Sequence, residues 1–352
     1  TSEFALYNKV SGNAKKMDCE VSNEAVLSMI YQARNAWDRC LSGVGKRPRR
    51  KGARNRFCGF SYYGDCKVDL EAGFVKLPKL GRIKFKKFDI GSHLTGKKIQ
   101  AHVTLKRRAD GWYVLFRVKA DHQQVVLASK EKVGADPGMR NLVTLSNGER
   151  VAKNSGFAKK EDQLARIQKG VSKNLELAKS LKGFGLNARK SRFNPESKVA
   201  RLHLKVSRQR KHENHQTSHN FVKAYSAIFW SDDNFKAQQN LFGKQIMSNA
   251  PGQLRDMIAY KSSSCGRQFL AVSNHNSTVT CHVCKALTGP CGRAELKVRE
   301  WVCSSCGTAH DRDKNAAINT LNSGLEHSLE QKGLTKKLVN PPKKAKQTLV
   351  FA

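Results

Sequence analysis

Four cysteines towards the C-terminal end have the spacing of a zinc site. They form two pairs, Cys281-x-x-Cys284 and Cys303-x-x-Cys306, about twenty residues apart. Two such knuckles can place four thiolates in a tetrahedron around one Zn²⁺ ion, which then has no open position for water. The pattern therefore predicts a structural zinc finger over residues 278–310. His282 and Cys291 fall inside this segment, so either could replace one of the four ligands.

Acidic residues at the ends of apolar segments are candidates for a second, catalytic metal site. Asp136 follows one strand-like segment, Asp232 and Asp233 follow another, and Asp313 opens an alanine-rich helix. Each of them alone is more often an ordinary turn, loop or helix-capping residue. Together, three carboxylates from separated elements suit Mg²⁺, which prefers hard oxygen ligands and, in pairs, supports phosphodiester cleavage.

The charge of the chain indicates a polyanionic partner. Sixty-five Lys and Arg residues against twenty-eight Asp and Glu residues leave a formal net charge of +37. Such an imbalance favours nucleic acid. An anionic membrane is the rival partner, but the basic residues are spread along the whole chain without an amphipathic anchor or a lipidation motif. We therefore expect a nucleic-acid partner and no membrane.

The cysteine count and the hydropathy predict an intracellular protein. No apolar run reaches the length that crosses a bilayer, and no secretory signal pattern is present. Four of the ten cysteines have metal-ligand spacing and most of the others are scattered, which favours reduced thiols over a disulfide scaffold. We expect a cytoplasmic, nucleoid-associated location. The chain begins with Thr1 instead of Met, which suggests that an N-terminal piece is missing.

The pattern along the chain changes several times. Over residues 20–41, apolar residues recur every three or four positions, which predicts an amphipathic helix. Short apolar runs broken by turns follow from residue 57 to about 121 and predict a small β-barrel or sandwich. Residues 157–224 read as long basic helices with few acidic neighbours, which suits a surface that follows phosphates. The last segment, beyond Gly333, reads as a disordered basic tail.

These features, in this order, resemble the transposon-encoded TnpB (OrfB) family of RNA-guided nucleases, which are related to the type V CRISPR effectors. The zinc finger joined to Asp-Arg-Asp-x-Asn-Ala-Ala is the specific part of the resemblance, and the other segments support it. The matching segments are residues 35–39, 77–81, 111–114, 133–138, 260–261, 280–284 and 303–317.

The resemblance implies a multidomain α/β protein. Its main part would be a RuvC-like nuclease domain of RNase H-like fold with an inserted zinc ribbon. A small β-barrel wedge domain and a short helical recognition lobe would precede it. The implied bounds are 1–50 for a partial recognition lobe, 51–128 for the wedge domain, 129–332 for the nuclease domain and 333–352 for the tail.

The resemblance also implies residue roles. Asp136 would be the first catalytic acid and Asp313 the third, while Asp311 would support the finger or cap the helix. The family places a Glu at the middle position, where this chain departs from the pattern. Asp233 fits best because the downstream residues match in that register, whereas an alignment two residues earlier puts Ser231 there. A serine would remove a metal-binding carboxylate and could abolish cutting while sparing binding.

Three functions follow from these alternatives. The first is an RNA-guided DNA endonuclease that binds a structured guide RNA and cleaves target DNA with Mg²⁺ bound at Asp136, Asp233 and Asp313. The second is a nuclease-deficient, repressor-like protein that binds DNA under RNA guidance. The third is an RNA-processing or structural RNA-binding protein without a DNA target.

Overall fold

The protein is described by a computed structural model of the 352-residue chain. The described residues are 23–49, 59–63, 66–86, 99–119, 129–153, 155–183, 195–232, 249–273, 275–292 and 297–334, with the single residues 8, 243 and 295. Asp233 and residues 335–352 of the predicted tail lie outside them. The chain divides into two units, Thr1–Asp121 and His122–Pro341.

The first unit begins with the predicted amphipathic helix. Helix α1 spans Asn23–Leu41 and buries Val26 and Ile30, one turn apart on the same face. The Ser28 hydroxyl of the same helix accepts a hydrogen bond of 3.2 Å from the backbone N–H of Ser61. The helix is therefore attached to the first strand of the unit by apolar packing and by one part-buried polar contact.

Two antiparallel sheets make up the rest of this unit. The first has the order β1-β5-β6, with β1 Gly59–Tyr63, β5 Ile99–Arg108 and β6 Gly111–Val118. The second runs β2-β3-β4, with β2 Lys67–Asp69, β3 Phe74–Leu77 and β4 Gly81–Lys84. One buried cluster joins side chains from both sheets: Tyr62, Val75, Leu77, Val103 and Leu105.

The predicted β-barrel of this segment is wrong for the described residues, whose strands form two separate sheets and no closed barrel. A barrel needs continuous strand pairing around its whole circumference, and no ladder connects the two sheets described here. The alternative prediction of a sandwich fits, because the two inner faces share one apolar core.

The second unit is built on a mixed five-stranded sheet in the order β11-β10-β7-β8-β9. Strands β7, β8 and β9 are antiparallel neighbours, and β10 and β11 continue the sheet parallel to β7. Their bounds are β7 Lys132–Pro137, β8 Val143–Leu145, β9 Arg150–Val151, β10 Ala227–Ser231 and β11 Gln268–Val272. All five residues of β10 are buried, as expected for a central strand covered on both faces.

Helices cover both faces of this sheet. The predicted basic helices are α2, Ser155–Gly183, and α3, Pro195–Ala224, which pack along each other. Helix α3 and α4, Pro251–Ser264, bury Phe221 and Ile258 against Trp230 on one face. Helix α5, Arg312–Leu334, covers the other face. The result is a layered α/β arrangement.

Two short strands, β12 Glu300–Val302 and β13 Ala309–Asp311, form an antiparallel ribbon that leads directly into α5. In the part of the chain that the structure describes, no helix combines the length and the apolar character that crossing a membrane requires.

Candidate functional site

The four predicted zinc ligands converge. The sulfur atoms of Cys281, Cys284, Cys303 and Cys306 all lie within 4.8 Å of one another. Two of the sulfur pairs, Cys281–Cys306 and Cys284–Cys303, are 3.7 and 3.6 Å apart. A tetrahedral Zn²⁺ ion with Zn–S bonds of about 2.3 Å needs sulfur atoms about 3.8 Å apart. The cluster therefore has the ligands and the size of a closed, four-coordinate zinc site.

The electrostatics of the cluster also favour a bound cation. The Thr288 hydroxyl donates to Cys303 Sγ over 3.1 Å and is the main reason that the pKa of Cys303 falls to about 6. At Cys284 the backbone N–H of Ala286 lowers the pKa, but burial and hydrogen bonds with the other three cysteines raise it to about 11. Four adjacent thiols cannot all ionise unless a positive ion compensates their charge.

The two alternative ligands, Cys291 and His282, lie outside the four-sulfur group of the described residues. Cys291 is exposed and lies outside the four-sulfur group of the described residues. The ring Nδ1 of His282 lies 3.0 Å from Asn315 Oδ1, and that oxygen also accepts the backbone N–H of His282 at 3.0 Å. His282 is therefore occupied in joining the first knuckle to α5.

Asparagines of α5 fasten the first knuckle, a role that the sequence analysis missed. Asn315 and Asn319 both donate from Nδ2 to the carbonyl oxygen of Thr280, over 2.8 and 2.7 Å. They are four residues apart and so share one face of the helix. That spacing within the motif is the signal that could have revealed a polar helix face turned towards the finger.

The start of α5 is capped as one of the sequence alternatives proposed. Asp311 Oδ1 accepts the backbone N–H of Lys314 at 2.9 Å, which satisfies a donor of the first helical turn. The second carboxylate oxygen pairs with Arg150 of β9 at 2.7 Å. Asp311 thus positions the helix start against the edge of the sheet.

Asp313 lies in the first turn of α5, beside a basic residue of the zinc finger. Its Oδ1 lies 3.0 Å from Arg299 Nη1, and its side chain is 22% exposed. This contact places a basic residue of the predicted finger against one of the predicted acids.

Gly134 sets how closely α5 approaches the sheet. A side chain at this position would collide with the carbonyl oxygen of Ala317 and with the backbone of Leu321. On the neighbouring strand Phe229 lies level with Gly134 and touches α5 at Gly324. One face of β7 and β10 is therefore in direct contact with this helix.

Asp136 belongs to that same face. Side chains alternate along a strand, so Asp136 points to the side of Gly134, where α5 lies. Asp313 is one helical turn before Ala317, on the stripe of α5 that meets the sheet. The two predicted acids thus lie on the same side of the sheet.

Ser231, one of the two candidates for the middle acid position, is the last residue of β10. Trp230 pairs with Ala135, so Ser231, the next residue, lies level with Asp136. Asp232 is half-exposed and pairs with Arg255 of α4 at 2.9 Å, on the opposite side of the sheet from α5. Asp233, the preferred sequence candidate, lies outside the described residues.

The basic helices α2 and α3 present cationic side chains to solvent. Several of the residues predicted to contact phosphates are exposed: Lys169, Lys173, Lys198, Arg201, Lys205 and Lys211. Exposed cations along two packed helices are suited to a phosphate backbone.

Two protein-family models match the chain. The model described as "Probable transposase" (OrfB_IS605) matches residues 115–232, which include Asp136 and Ser231. The model described as "Cas12f1-like, TNB domain" matches residues 252–320, which include the zinc cluster and Asp313. The two matches together cover most of the second unit.

Similar proteins are found in bacteria and in a giant virus. The chain is 32% identical over 230 residues to a Streptomyces pristinaespiralis protein named "Putative RNA-guided DNA endonuclease", which covers 64% of this chain and 53% of that protein. It is 26% identical over 283 residues to "Putative RNA-guided DNA endonuclease InsQ" of Escherichia coli K12, with 75% and 65% covered. "TnpB-like protein L79" of Acanthamoeba polyphaga mimivirus is 24% identical over 274 residues, with 75% and 51% covered.

The chain thus spans about half to two thirds of the length of these relatives, with 53%, 65% and 51% covered. A solved structure titled "Cryo-EM structure of the Cas12f1-sgRNA-target DNA complex" has the same fold, with a TM-score of 0.51 and 13% identity over 92% of this chain and 79% of that one. The predicted resemblance to the TnpB (OrfB) family is confirmed.

Proposed function

We propose that this protein binds a structured guide RNA, is directed by it to DNA, and presents a RuvC-like metal site to that DNA. The observation that carries the proposal is the contact of α5 with β7, because it places Asp313 and Asp136 on the same side of one sheet, beside a four-cysteine module. The names of the relatives, which refer to RNA-guided DNA endonucleases, support it.

The charge distribution supports nucleic acid as the partner. The net charge of +37 and the exposed cations of α2 and α3 can neutralise many phosphates of a guide RNA and its paired DNA strand. In a guided complex the RNA reads the target sequence by base pairing, and the protein recognises duplex shape and a short flanking motif. The protein would act in the cytoplasm, on nucleoid DNA.

The domain assignments are part of this proposal. Residues 129–332 would form an RNase H-like nuclease domain with the zinc module inserted over 278–310. Three antiparallel strands continued by two parallel ones, with α5 across one face, support that assignment. Residues 51–128 would form the wedge domain and residues 1–50 a partial recognition lobe.

Zn²⁺ fits the four cysteines as a structural ion. Its four ligands leave no position for water, so it would shape the finger and take no part in hydrolysis. The finger in turn holds α5 through Asn315 and places Arg299 beside Asp313.

DNA cleavage is the first candidate outcome of guided binding. Asp136 and Asp313, with Asp233 as the predicted middle ligand, would hold Mg²⁺, which when bound stabilises charge on a phosphodiester and activates a water nucleophile. The role of the chain is to supply oxygen ligands at the sheet face. Arg299 would have to release Asp313 or share it, because its guanidinium already occupies one carboxylate oxygen.

Guided binding without cleavage is the second candidate outcome. The position of Ser231 favours it, since a hydroxyl instead of a carboxylate lies level with Asp136. Such a protein would act as a repressor by occupying its DNA target.

The test is to purify the full chain with its native RNA, sequence that RNA, and measure binding to DNA that matches or mismatches the guide segment. We expect a bound RNA with a defined structured part and tight binding to matched DNA only. DNA binding that ignores the RNA sequence would contradict the proposal and favour an RNA-binding protein without a DNA target.

A further inference from the structure

The position of Ser231 follows from the pairing of β10 with β7. The two strands are parallel and in register from Ala227 with Lys132 to Trp230 with Ala135. Ser231 follows Trp230 as Asp136 follows Ala135, and Ser231 remains in the sheet, where it pairs with Val272 of β11. The strand end is therefore regular up to this serine.

The direction of the Ser231 side chain follows from its neighbours on β10. Phe229, two residues earlier, points to α5 and touches it at Gly324, while Trp230 points to the opposite face, into the core formed with α3 and α4. Alternation along a strand then directs Ser231 to the α5 side, the side of Asp136. Neighbouring strands lie about 4.8 Å apart, so the two side chains are adjacent.

The Ser231 side chain is a buried hydroxyl at the end of β10. The residue is 0% exposed, and its Oγ has no hydrogen-bond partner among the described residues. A buried hydroxyl is usually satisfied by a protein group, an ordered water or a bound ligand. This orphan hydroxyl is directed to the same side of the sheet as the predicted acids.

The charge of the described site is low. Asp136 and Asp313 contribute two negative charges, and the contact of Arg299 with Asp313 offsets one of them. Thr144, the neighbour of Asp136 on β8, contributes a hydroxyl and no charge. Two Mg²⁺ ions need several carboxylate oxygens to balance their charge, whereas one weakly held ion needs fewer.

We propose that Ser231 occupies the position of the middle metal ligand, so that the sheet face holds at most one weakly bound divalent cation and the guided protein binds DNA without cutting it. This inference rests on the proposed guided binding and selects its second outcome. On this inference, cleavage is lost because residue 231 carries no carboxylate. The backbone at residue 231 already lies level with Asp136, so an acidic side chain there could join the site.

The test is to restore that carboxylate. Ser231→Glu, with Ser231→Gln as a neutral control of the same size, is prepared as the full chain with its guide RNA. Mn²⁺ replaces Mg²⁺ because its binding is read by electron paramagnetic resonance. We expect Ser231→Glu to bind Mn²⁺ on the order of tenfold or more tightly than the unaltered chain or Ser231→Gln. We also expect it to gain guide-dependent cleavage that Asp136→Asn removes.

Several outcomes would overturn the inference while leaving guided binding intact. One is guide-dependent cleavage by the unaltered chain that Asp136→Asn abolishes, and this measurement remains decisive even if Ser231→Glu does not fold. A second is a Mn²⁺ affinity that falls on Asp233→Ala, which would assign the middle ligand to Asp233. A third is a folded Ser231→Glu that binds Mn²⁺ no better than Ser231→Gln. Loss of guided binding in the unaltered chain would instead contradict the proposed function.

Discussion

The side-chain oxygen of Asn315 accepts both the backbone N–H and the ring Nδ1 of His282, each over 3.0 Å. This pair joins the zinc module to the helix that carries Asp313. Asn315 is almost fully buried, and its amide donates to the Thr280 carbonyl, so nearly all of its polar capacity is used. Asn315, together with Asn319 and the pair of Arg299 with Asp313, thereby couples the finger to α5.

Asn315→Ala should destabilise the second unit by about 1–3 kcal/mol, because the His282 donors lose their buried acceptor. Asn319→Ala is the matched control. It should cost less, since Asn315 still reaches the Thr280 carbonyl and no His282 contact is lost. Urea unfolding of the two variants and the unaltered chain measures the difference. Equal losses of unfolding free energy in the two variants would show that the contact with His282 adds no stability.

Zinc binding should require the four clustered cysteines and should not require Cys291. Cys284→Ser should lose the bound ion, because a closed site with three thiolates binds Zn²⁺ far more weakly. Cys291→Ser should keep it, since Cys291 lies outside the sulfur cluster. Elemental analysis of the purified variants gives the zinc content per chain. Loss of zinc from Cys291→Ser would contradict the four-cysteine assignment.

Gly134→Ala should destabilise the protein by about 1–3 kcal/mol, because the added methyl group collides with the backbone of α5 and pushes the helix from the sheet. Gly170→Ala in α2 is the control. That glycine has open space around it, and alanine is the better helix former by about 0.5–1 kcal/mol. The midpoint temperature of thermal unfolding should therefore fall for Gly134→Ala and rise for Gly170→Ala.

Asp311→Ala should lower the free energy of unfolding by about 1 kcal/mol, because the helix cap is lost. DNA binding should be preserved. Arg150→Ala removes only the exposed ion pair with Asp311 and should cost less. Chemical denaturation separates the two effects. A larger loss from Arg150→Ala would show that the ion pair, and not the cap, anchors the start of α5.

Acidification should weaken the packing of α3 on α4 through His215. Burial and the nearby Lys261 lower the pKa of His215 below its ordinary value of 6.5. The unfolded chain therefore takes up the proton first, so stability falls as the pH drops below about 6.5. His215→Asn keeps the backbone carbonyl that accepts Lys261 Nζ and should flatten this pH dependence. Unfolding curves between neutral and mildly acidic pH test it.

Features that depend on the spacing of nearby residues could be predicted from the sequence. The four cysteines lie two by two at knuckle spacing, and the structure brings their sulfur atoms together. The family resemblance implied that Asp311 supports the finger or caps the helix, and its carboxylate accepts the backbone N–H of Lys314. The alternation of apolar residues predicted the short strands of the first unit, but not which strands would pair, so the barrel was expected where two sheets pack together.

Ser231 and Asp233 show the limit of sequence reasoning. Both lie at or just after the end of the same strand, and the downstream residues favoured Asp233, whereas the partner strand that decides the register lies far away in the chain. Hydrogen bonding between β7 and β10 decides which residue of β10 lies beside Asp136, and Ser231 is that residue. A shift by one residue would turn every side chain of the strand to the other face.

The sequence by itself determined the four-cysteine cluster, the basic character and the family resemblance, because these depend on residue types and on short spacings. Only the tertiary structure decided that Asp136 and Asp313 share one side of the sheet, that Arg299 pairs with Asp313, and that Ser231 lies level with Asp136. These relationships arise from strand register and from the close approach of α5 at Gly134, which are set by packing between distant segments.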